Sequence, residues 1–128
     1  MILDSSAVVA AVFGEVGHEE LEQKMREADL LAIGAPTLVE TGMVLIGEFG
    51  EVAHATISRL RERLGIVVIA FGEAHWEVAA EAFGRYGKGR HPAALNYGDC
   101  MAYATARLAG QPLLFIGNDF AQTDIEAA

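Results

Sequence analysis

Residues 95–120 constrain the fold of this chain more than any other stretch. They read LNYGDCMAYATARLAGQPLLFIGNDF. A polar lead-in ending at Asp99 opens a helix of small residues, and the Gly110-Gln111-Pro112 turn stops it. The apolar run 113–116 predicts a short buried strand that ends in Gly117-Asn118-Asp119. One carboxylate therefore opens a helix and another lies just past a strand. Ligands of parallel α/β sheets sit beyond the carboxyl ends of the strands, so two acids placed there point to a divalent cation.

The rest of the chain alternates in the same way. Met1-Ile2-Leu3 predicts a first strand ending at Asp4, followed by Ser5-Ser6 and an apolar helical run over 7–13. Taken alone, Asp4 is explained as a helix N-cap. Residues 18–29 form a charged helix with Leu21, Met25 and Ala28 on one core-facing stripe. A second strand over 30–33 stops at Gly34, and Pro36 suits the first turn of a mostly apolar helix over 37–49. Glu40 lies in that helix, where an ionised carboxylate is costly unless it is paired, metal-bound or on the exposed stripe. A helix over 52–64 places three arginines in its last turns, and residues 66–70 predict a third buried strand. The helix over 73–86 carries Trp76, Val78, Ala79, Ala82 and Phe83, whose spacing assigns the aromatics to the core. The loop 87–92 is flexible and basic, and with Arg85 it makes Lys88 and Arg90 the most cationic short segment. It is no Walker A loop, because Gly89 stands where Ser or Thr is needed. Asn96 and Asp99 can act as helix caps, and Asn118 and Asp119 can make an Asx turn.

The length suits one domain, residues 1–128, and just over half the residues are apolar, as in a globular chain. No apolar run could cross a bilayer, and the first residues lack a basic region, so a cytoplasmic protein with no membrane association is expected. Cys100 is the only cysteine and the four histidines are scattered, which excludes a disulfide framework or a cysteine-rich zinc site. Any metal site must then use oxygen ligands, as Mg²⁺ or Mn²⁺ prefers. The net charge of −9 opposes broad nonspecific binding to nucleic acid and makes a cation necessary for any phosphate-bearing substrate.

Asp4 and Asp119 each end a predicted strand, Asp99 begins a helix, and Glu40 lies early in one. In a right-handed parallel sheet these positions share one edge, so all four acids can converge. Clustered carboxylates repel one another unless a cation is present. Metal-dependent phosphodiester hydrolysis is the natural chemistry of such a cluster.

The pattern Met1-Ile2-Leu3-Asp4-Ser5-Ser6-Ala7, Glu40 after Pro36, Tyr86 through His91, Leu95 through Cys100, and Leu113 through Phe120 with Thr123-Asp124-Ile125 behind it resembles the PIN-domain family. Within that family it resembles the VapC-like toxin ribonucleases of bacterial type II toxin–antitoxin pairs. The resemblance spans nearly the whole chain, and its run from Lys88 to Phe120 is specific. It implies a three-layer α/β/α fold with a central parallel sheet of four to five strands. It implies an Mg²⁺- or Mn²⁺-dependent endoribonuclease acting on structured RNA such as tRNA or rRNA, with an antitoxin partner and a homodimer. Asp4, Glu40, Asp99 and Asp119 match the family's acidic quartet, with Asp4 and Asp99 as direct ligands. Ser6 matches a polar position beside the first acid, and Asn118 stands beside the last. The chain ends soon after Ile125, so the final edge strand is expected to be short or missing.

In the mechanism this implies, Asp4 and Asp99 hold the metal directly or through water, and Glu40 and Asp119 position a water or complete the coordination of a metal that binds with substrate; the water attacks phosphorus in line, leaving a 5′-phosphate and a 3′-hydroxyl. Arg85, Lys88 and Arg90 steady the RNA backbone. Three alternatives compete with this reading. A Mg²⁺-dependent phosphatase would want a second acid or Thr where Ser6 stands, and a receiver domain would want a lysine near the last strand, where none occurs. A non-catalytic PIN-like module that binds RNA or protein has no need of all four acids.

Overall fold

The computed structural model describes residues 1–128. Its elements are β1 (Ile2–Leu3), α1 (Ser5–Phe13), α2 (His18–Glu27), β2 (Ala32–Gly34), α3 (Ala35–Phe49), α4 (Val52–Leu64), β3 (Val67–Ile69), α5 (Glu73–Tyr86), α6 (Tyr97–Ala109) and β4 (Leu113–Leu114), followed by a 3-10 turn at Phe120–Gln122. The four strands form one parallel sheet in the order β3-β2-β1-β4. Ile2 pairs with Ala32 on one side and Leu113 on the other, which makes β1 central.

Side chains alternate across a strand, and that alternation builds two cores. Ile2, Ala32 and Leu113 face one way, into a core with Ala79, Ala82, Tyr86, Leu95 and Tyr103 of the α5–α6 side. Leu3, Ile33 and Leu114 face the other way, packing with Ala7, Val8, Leu21, Met25 and Leu60 of α1, α2 and α4. The architecture is the expected α/β/α sandwich. A Cβ on Gly34 would stand 2.5 Å from Thr105 Oγ1 of α6, so β2 ends in the one residue that lets α6 approach.

Three expectations change. The third strand is not buried: β3 pairs only with β2, lies at the sheet edge, and leaves Val67 51 % exposed. The last strand stops at Leu114 instead of residue 116, because Phe115 turns to pack against Phe120, ring centroids 5.1 Å apart and planes tilted by 53°, and the Ile116 N–H bonds to Ser6 Oγ. Trp76 and Phe83, the aromatics of α5 expected in the core, are not there. Trp76 and Phe83 are 58 % and 41 % exposed, while Ala79, Ala82 and Tyr86 carry the buried stripe. Small residues on both α5 and α6 bring the two helices close and leave the large rings outside.

The edge beyond β4 is reduced to one bridge, Leu113 with Ala127, held by Leu113 N–H to Glu126 O at 2.8 Å and Ala128 N–H to Leu113 O at 3.0 Å. The loop after α5, expected to be flexible, is closed by backbone bonds from Lys88 N–H to Leu95 O and from Leu95 N–H to Tyr86 O. No helix is long and apolar enough to cross a membrane.

Candidate active site

The strand order reverses between β1 and β4: the chain runs outward from β1 through β2 to β3, and β4 returns on the other side. The crevice beyond the carboxyl ends of two such strands is where doubly wound sheets bind ligands. Asp4 follows β1, and residues 115–119 follow β4.

Asp4 does cap α1, accepting the Ser6 N–H at 3.0 Å, yet it is only 4 % exposed. The Ser6 hydroxyl donates to the same carboxylate oxygen at 2.5 Å and accepts the Ile116 N–H at 3.0 Å. Ser6 therefore ties the start of α1 to the exit from β4. Burial pushes the Asp4 carboxyl above the usual range, the hydrogen bonds from Ser6 and Ser5 oppose this, and the charge of Asp119 adds to it.

Asp99 and Asn96 form a reciprocal capping box at the start of α6: Asn96 N–H donates to Asp99 Oδ2 at 2.7 Å, and Asp99 N–H to Asn96 Oδ1 at 2.9 Å. Burial raises the Asp99 carboxyl pKa against the pull of the Asn96 N–H, and Asp4 and Asp119 raise it further. Glu40 is half-buried on α3, not on an exposed stripe. Its pKa is raised by burial, then by the charges of Asp4 and Asp99, with a hydrogen bond from Ser5 opposing. Asp119 is exposed at the start of the 3-10 turn and makes no cap hydrogen bond, with Asn118 exposed beside it.

The four acids thus share one electrostatic neighbourhood. None has a cationic partner, since every ion pair of the chain ends on Glu22 or Asp124. No three of them stand close enough to hold a metal together. One oxygen of Asp4 is turned onto Ser6 and one of Asp99 onto Asn96, and unneutralised carboxylates hold apart. The donor set nonetheless fits Mg²⁺ or Mn²⁺, which takes oxygen ligands and is commonly bound by one or two carboxylates and several waters.

Two residues escaped the sequence-based assignment. Ser5, on α1, lies near enough to Glu40 of α3 to favour its charged form, a role that only the approach of α3 to α1 creates. Gly98 is the second: a Cβ there would lie 2.5 Å from Glu40 Oε2 and 2.7 Å from Oε1, so its missing side chain is the space the Glu40 carboxylate fills. The cationic residues separate. Lys88 and Arg90 are exposed, with the Arg90 guanidinium 5.8 Å from the Phe83 ring centroid. Arg85 is committed elsewhere, to the Tyr86 hydroxyl at 2.8 Å and to Asp124 at 3.5 Å.

The raised carboxyls make a stability prediction. Asp4, Glu40 and Asp99 bind protons more tightly folded than unfolded, so their contribution to stability falls as pH rises from near 4 through their raised pKa values. Above that window the native chain carries a repulsion that a divalent cation offsets. A cation at about 100 times its Kd adds roughly 2.7 kcal/mol, or on the order of 10 °C in Tm. Thermal melts at pH 7 in EDTA and in millimolar Mn²⁺ check this; coincident curves would count against a cation site.

The PIN domain family model matches residues 1–126. VapC ribonuclease Mb2004c of Mycobacterium bovis is 50% identical over 127 residues, covering 98% of this chain and 91% of that protein. Ribonuclease VapC of Mycolicibacterium smegmatis is 38% identical over 127 residues, covering 99% and 98%. Among solved structures, Mycobacterium tuberculosis VapC20, a sarcin-ricin loop cleaving toxin, matches with a TM-score of 0.79 at 18% identity over 99% of this chain and 97% of that one. VapBC2 from Rickettsia felis, bound to a DNA fragment from its promoter, matches with a TM-score of 0.76 at 13% identity, covering 99% and 96%. At those identities the structural likeness speaks for the fold alone. With the family model over nearly the full length, half the residues shared with a VapC ribonuclease, and a parallel sheet that brings its acids to one rim, this chain belongs to the PIN-domain family.

Proposed function

We propose that this chain is the toxin of a type II toxin–antitoxin pair, an Mg²⁺- or Mn²⁺-dependent endoribonuclease acting in the cytoplasm on structured RNA such as tRNA or rRNA. The observation that carries this is the group of acids Asp4, Glu40, Asp99 and Asp119 at the sheet's switch point, where burial and neighbouring carboxylates raise the pKa of Asp4, Glu40 and Asp99 with no arginine or lysine to neutralise them. The ribonuclease names of relatives at 50% and 38% identity support the substrate class.

Asp4 and Asp99 supply the oxygens that hold the cation, each with one oxygen still uncommitted to its cap. Held there, such a cation would supply charge to offset the phosphate and to acidify a water. Glu40 and Asp119 orient the attacking water and accept its proton. The new bond joins the water oxygen to phosphorus, the bond to the 3′ oxygen breaks, and that oxygen leaves as a hydroxyl after taking a proton from solvent. A raised carboxyl pKa, as at Glu40, brings a general base nearer working pH. Lys88 and Arg90 lie exposed after α5 and can contact the RNA backbone.

An antitoxin partner is supported by solved neighbours that are toxin–antitoxin complexes. A homodimer is supported by unpartnered apolar surface. Trp76, Phe83, Tyr97 and Met101 line an apolar groove of about 600 Å³, and Val39, Met43 and Ile46 of α3 are all more than half exposed. The deciding experiment incubates purified protein with total RNA, with and without Mg²⁺, and maps the ends. Cation-dependent cuts with 5′-phosphates are expected. Protection of RNA without cleavage in saturating Mg²⁺ and Mn²⁺ would instead assign a binding module.

A further inference from the structure

We infer that Asp124, held by Tyr103 and Arg107, is a positioning residue that keeps Asp119 in register with Asp99. The inference rests on the nuclease assignment above and names a role for the Thr123-Asp124-Ile125 motif that the acidic quartet leaves unexplained.

Asp119 stands in an exposed stretch: residues 116–119 all face solvent, and the Asp119 carboxylate makes no cap bond that would hold it. Its position is therefore set by the two ends of its segment. The entry is tied by Ile116 N–H to Ser6 Oγ at 3.0 Å, and through that hydroxyl to Asp4. The exit begins at Phe120, 3 % exposed and packed at a tilt against Phe115. Thr123 folds back, its hydroxyl donating to Phe120 O at 2.7 Å and accepting the Ile125 N–H at 3.2 Å. Asp124 then closes the exit. Its Oδ1 accepts from the Tyr103 hydroxyl at 2.6 Å, its Oδ2 from the Arg107 guanidinium, and Arg85 lies 3.5 Å from the same oxygen.

Tyr103 and Arg107 lie four and eight residues after Asp99, one and two turns along the same helix, α6. The helix that begins with one acid thus grips, through Asp124, the segment that carries another. The clamp is strong on both sides. The Tyr103 hydrogen bond, then that of Arg107, holds the Asp124 carboxyl down to about 2, and burial followed by the Asp124 bond pushes the Tyr103 hydroxyl up to about 12. The tail beyond does not depend on it, because backbone bonds join Glu126 and Ala128 to Leu113. Loss of the clamp therefore frees the segment that bears Asp119 and leaves the sheet intact.

The test uses the full chain and hydrogen exchange. Asp124→Ala is expected to speed exchange of the amides in 116–123 by at least roughly tenfold, with the amides of β1 and α6 unchanged. Tyr103→Phe, which keeps the ring packing, is expected to do the same to a smaller extent. Mn²⁺ titration is the second readout: Asp119 is no direct ligand, but its charge acts on both Asp4 and Asp99, so affinity is expected to fall about tenfold in Asp124→Ala. Because Asp124 acts through Asp119, adding Asp124→Ala to Asp119→Ala is expected to lower Mn²⁺ affinity no further. Unchanged exchange in 116–123, faster exchange throughout the chain, or losses that multiply in the double variant would each overturn the inference. If Mn²⁺ fails to bind even the wild type, the nuclease assignment falls, and hydrogen exchange still decides the clamp.

Discussion

Asp99→Asn is expected to abolish RNA cleavage and to melt in EDTA at or above the wild-type temperature. Removing a charged oxygen ligand costs several kcal/mol of transition-state stabilisation, a loss on the order of a hundredfold to a thousandfold in kcat/KM. The fold should not suffer. An asparagine oxygen can accept the Asn96 N–H that Asp99 Oδ2 accepts at 2.7 Å, so the start of α6 stays capped. The substitution also removes a carboxylate whose charged form is disfavoured by burial and by Asp4 and Asp119, which relieves the native state above the carboxyl range. Stability and activity should therefore move in opposite directions, as at many sites selected for function. The cation-induced rise in Tm should shrink in the same variant. Cleavage at the wild-type rate would show that Asp99 is not part of the active site.

Gly98→Ala is the second large effect, and it separates geometry from charge. Gly98 is the second residue of α6, where alanine is the better helix former by about 0.5–1 kcal/mol. The new methyl would occupy the place of the Glu40 carboxylate, 2.5 Å from Oε2. Glu40 can swing aside at little cost, so the protein should melt at the same temperature or slightly higher. A misplaced water-orienting group is expected to lower kcat roughly a hundredfold. Circular dichroism melts and single-turnover cleavage together check this. An unchanged rate would mean that Glu40 need not sit where it does, and would remove it from the mechanism.

The elements with strong periodicity were legible before any coordinates. Helices over 52–64 and 73–86 coincide with α4 and α5, and the Leu21 and Met25 stripe is buried as its spacing requires. Three-residue strands were harder. A run such as 66–70 reads alike at the centre or the edge of a sheet, because its apolar content does not reveal how many neighbours it has. The order β3-β2-β1-β4 decided that, and left Val67 half exposed. Trp76 and Phe83 failed for a related reason. Their spacing marked one face of α5, but the alanines at 79 and 82 had the stronger claim on the core because they let α6 come close.

At the candidate site, Asp4, Asp99 and Asp119 stood out by their places at strand ends or a helix start and Glu40 by its place inside a mostly apolar helix, because local chain geometry puts strand ends and the helix starts that follow them on one rim of a parallel sheet. What local chemistry could not tell was how each carboxylate is aimed. That depends on partners distant in sequence: Ser6 receiving Ile116 across 110 residues, Gly98 leaving room for Glu40, and Tyr103 holding Asp124 across 21. The sequence alone thus determined the alternation of strands and helices and the identity of the acids, since both follow from periodicity and from chemistry carried by single residues. Only the tertiary structure decided which oxygens are free, which aromatics stay outside and which arginine is already engaged, because those are outcomes of competition among contacts that no segment makes by itself.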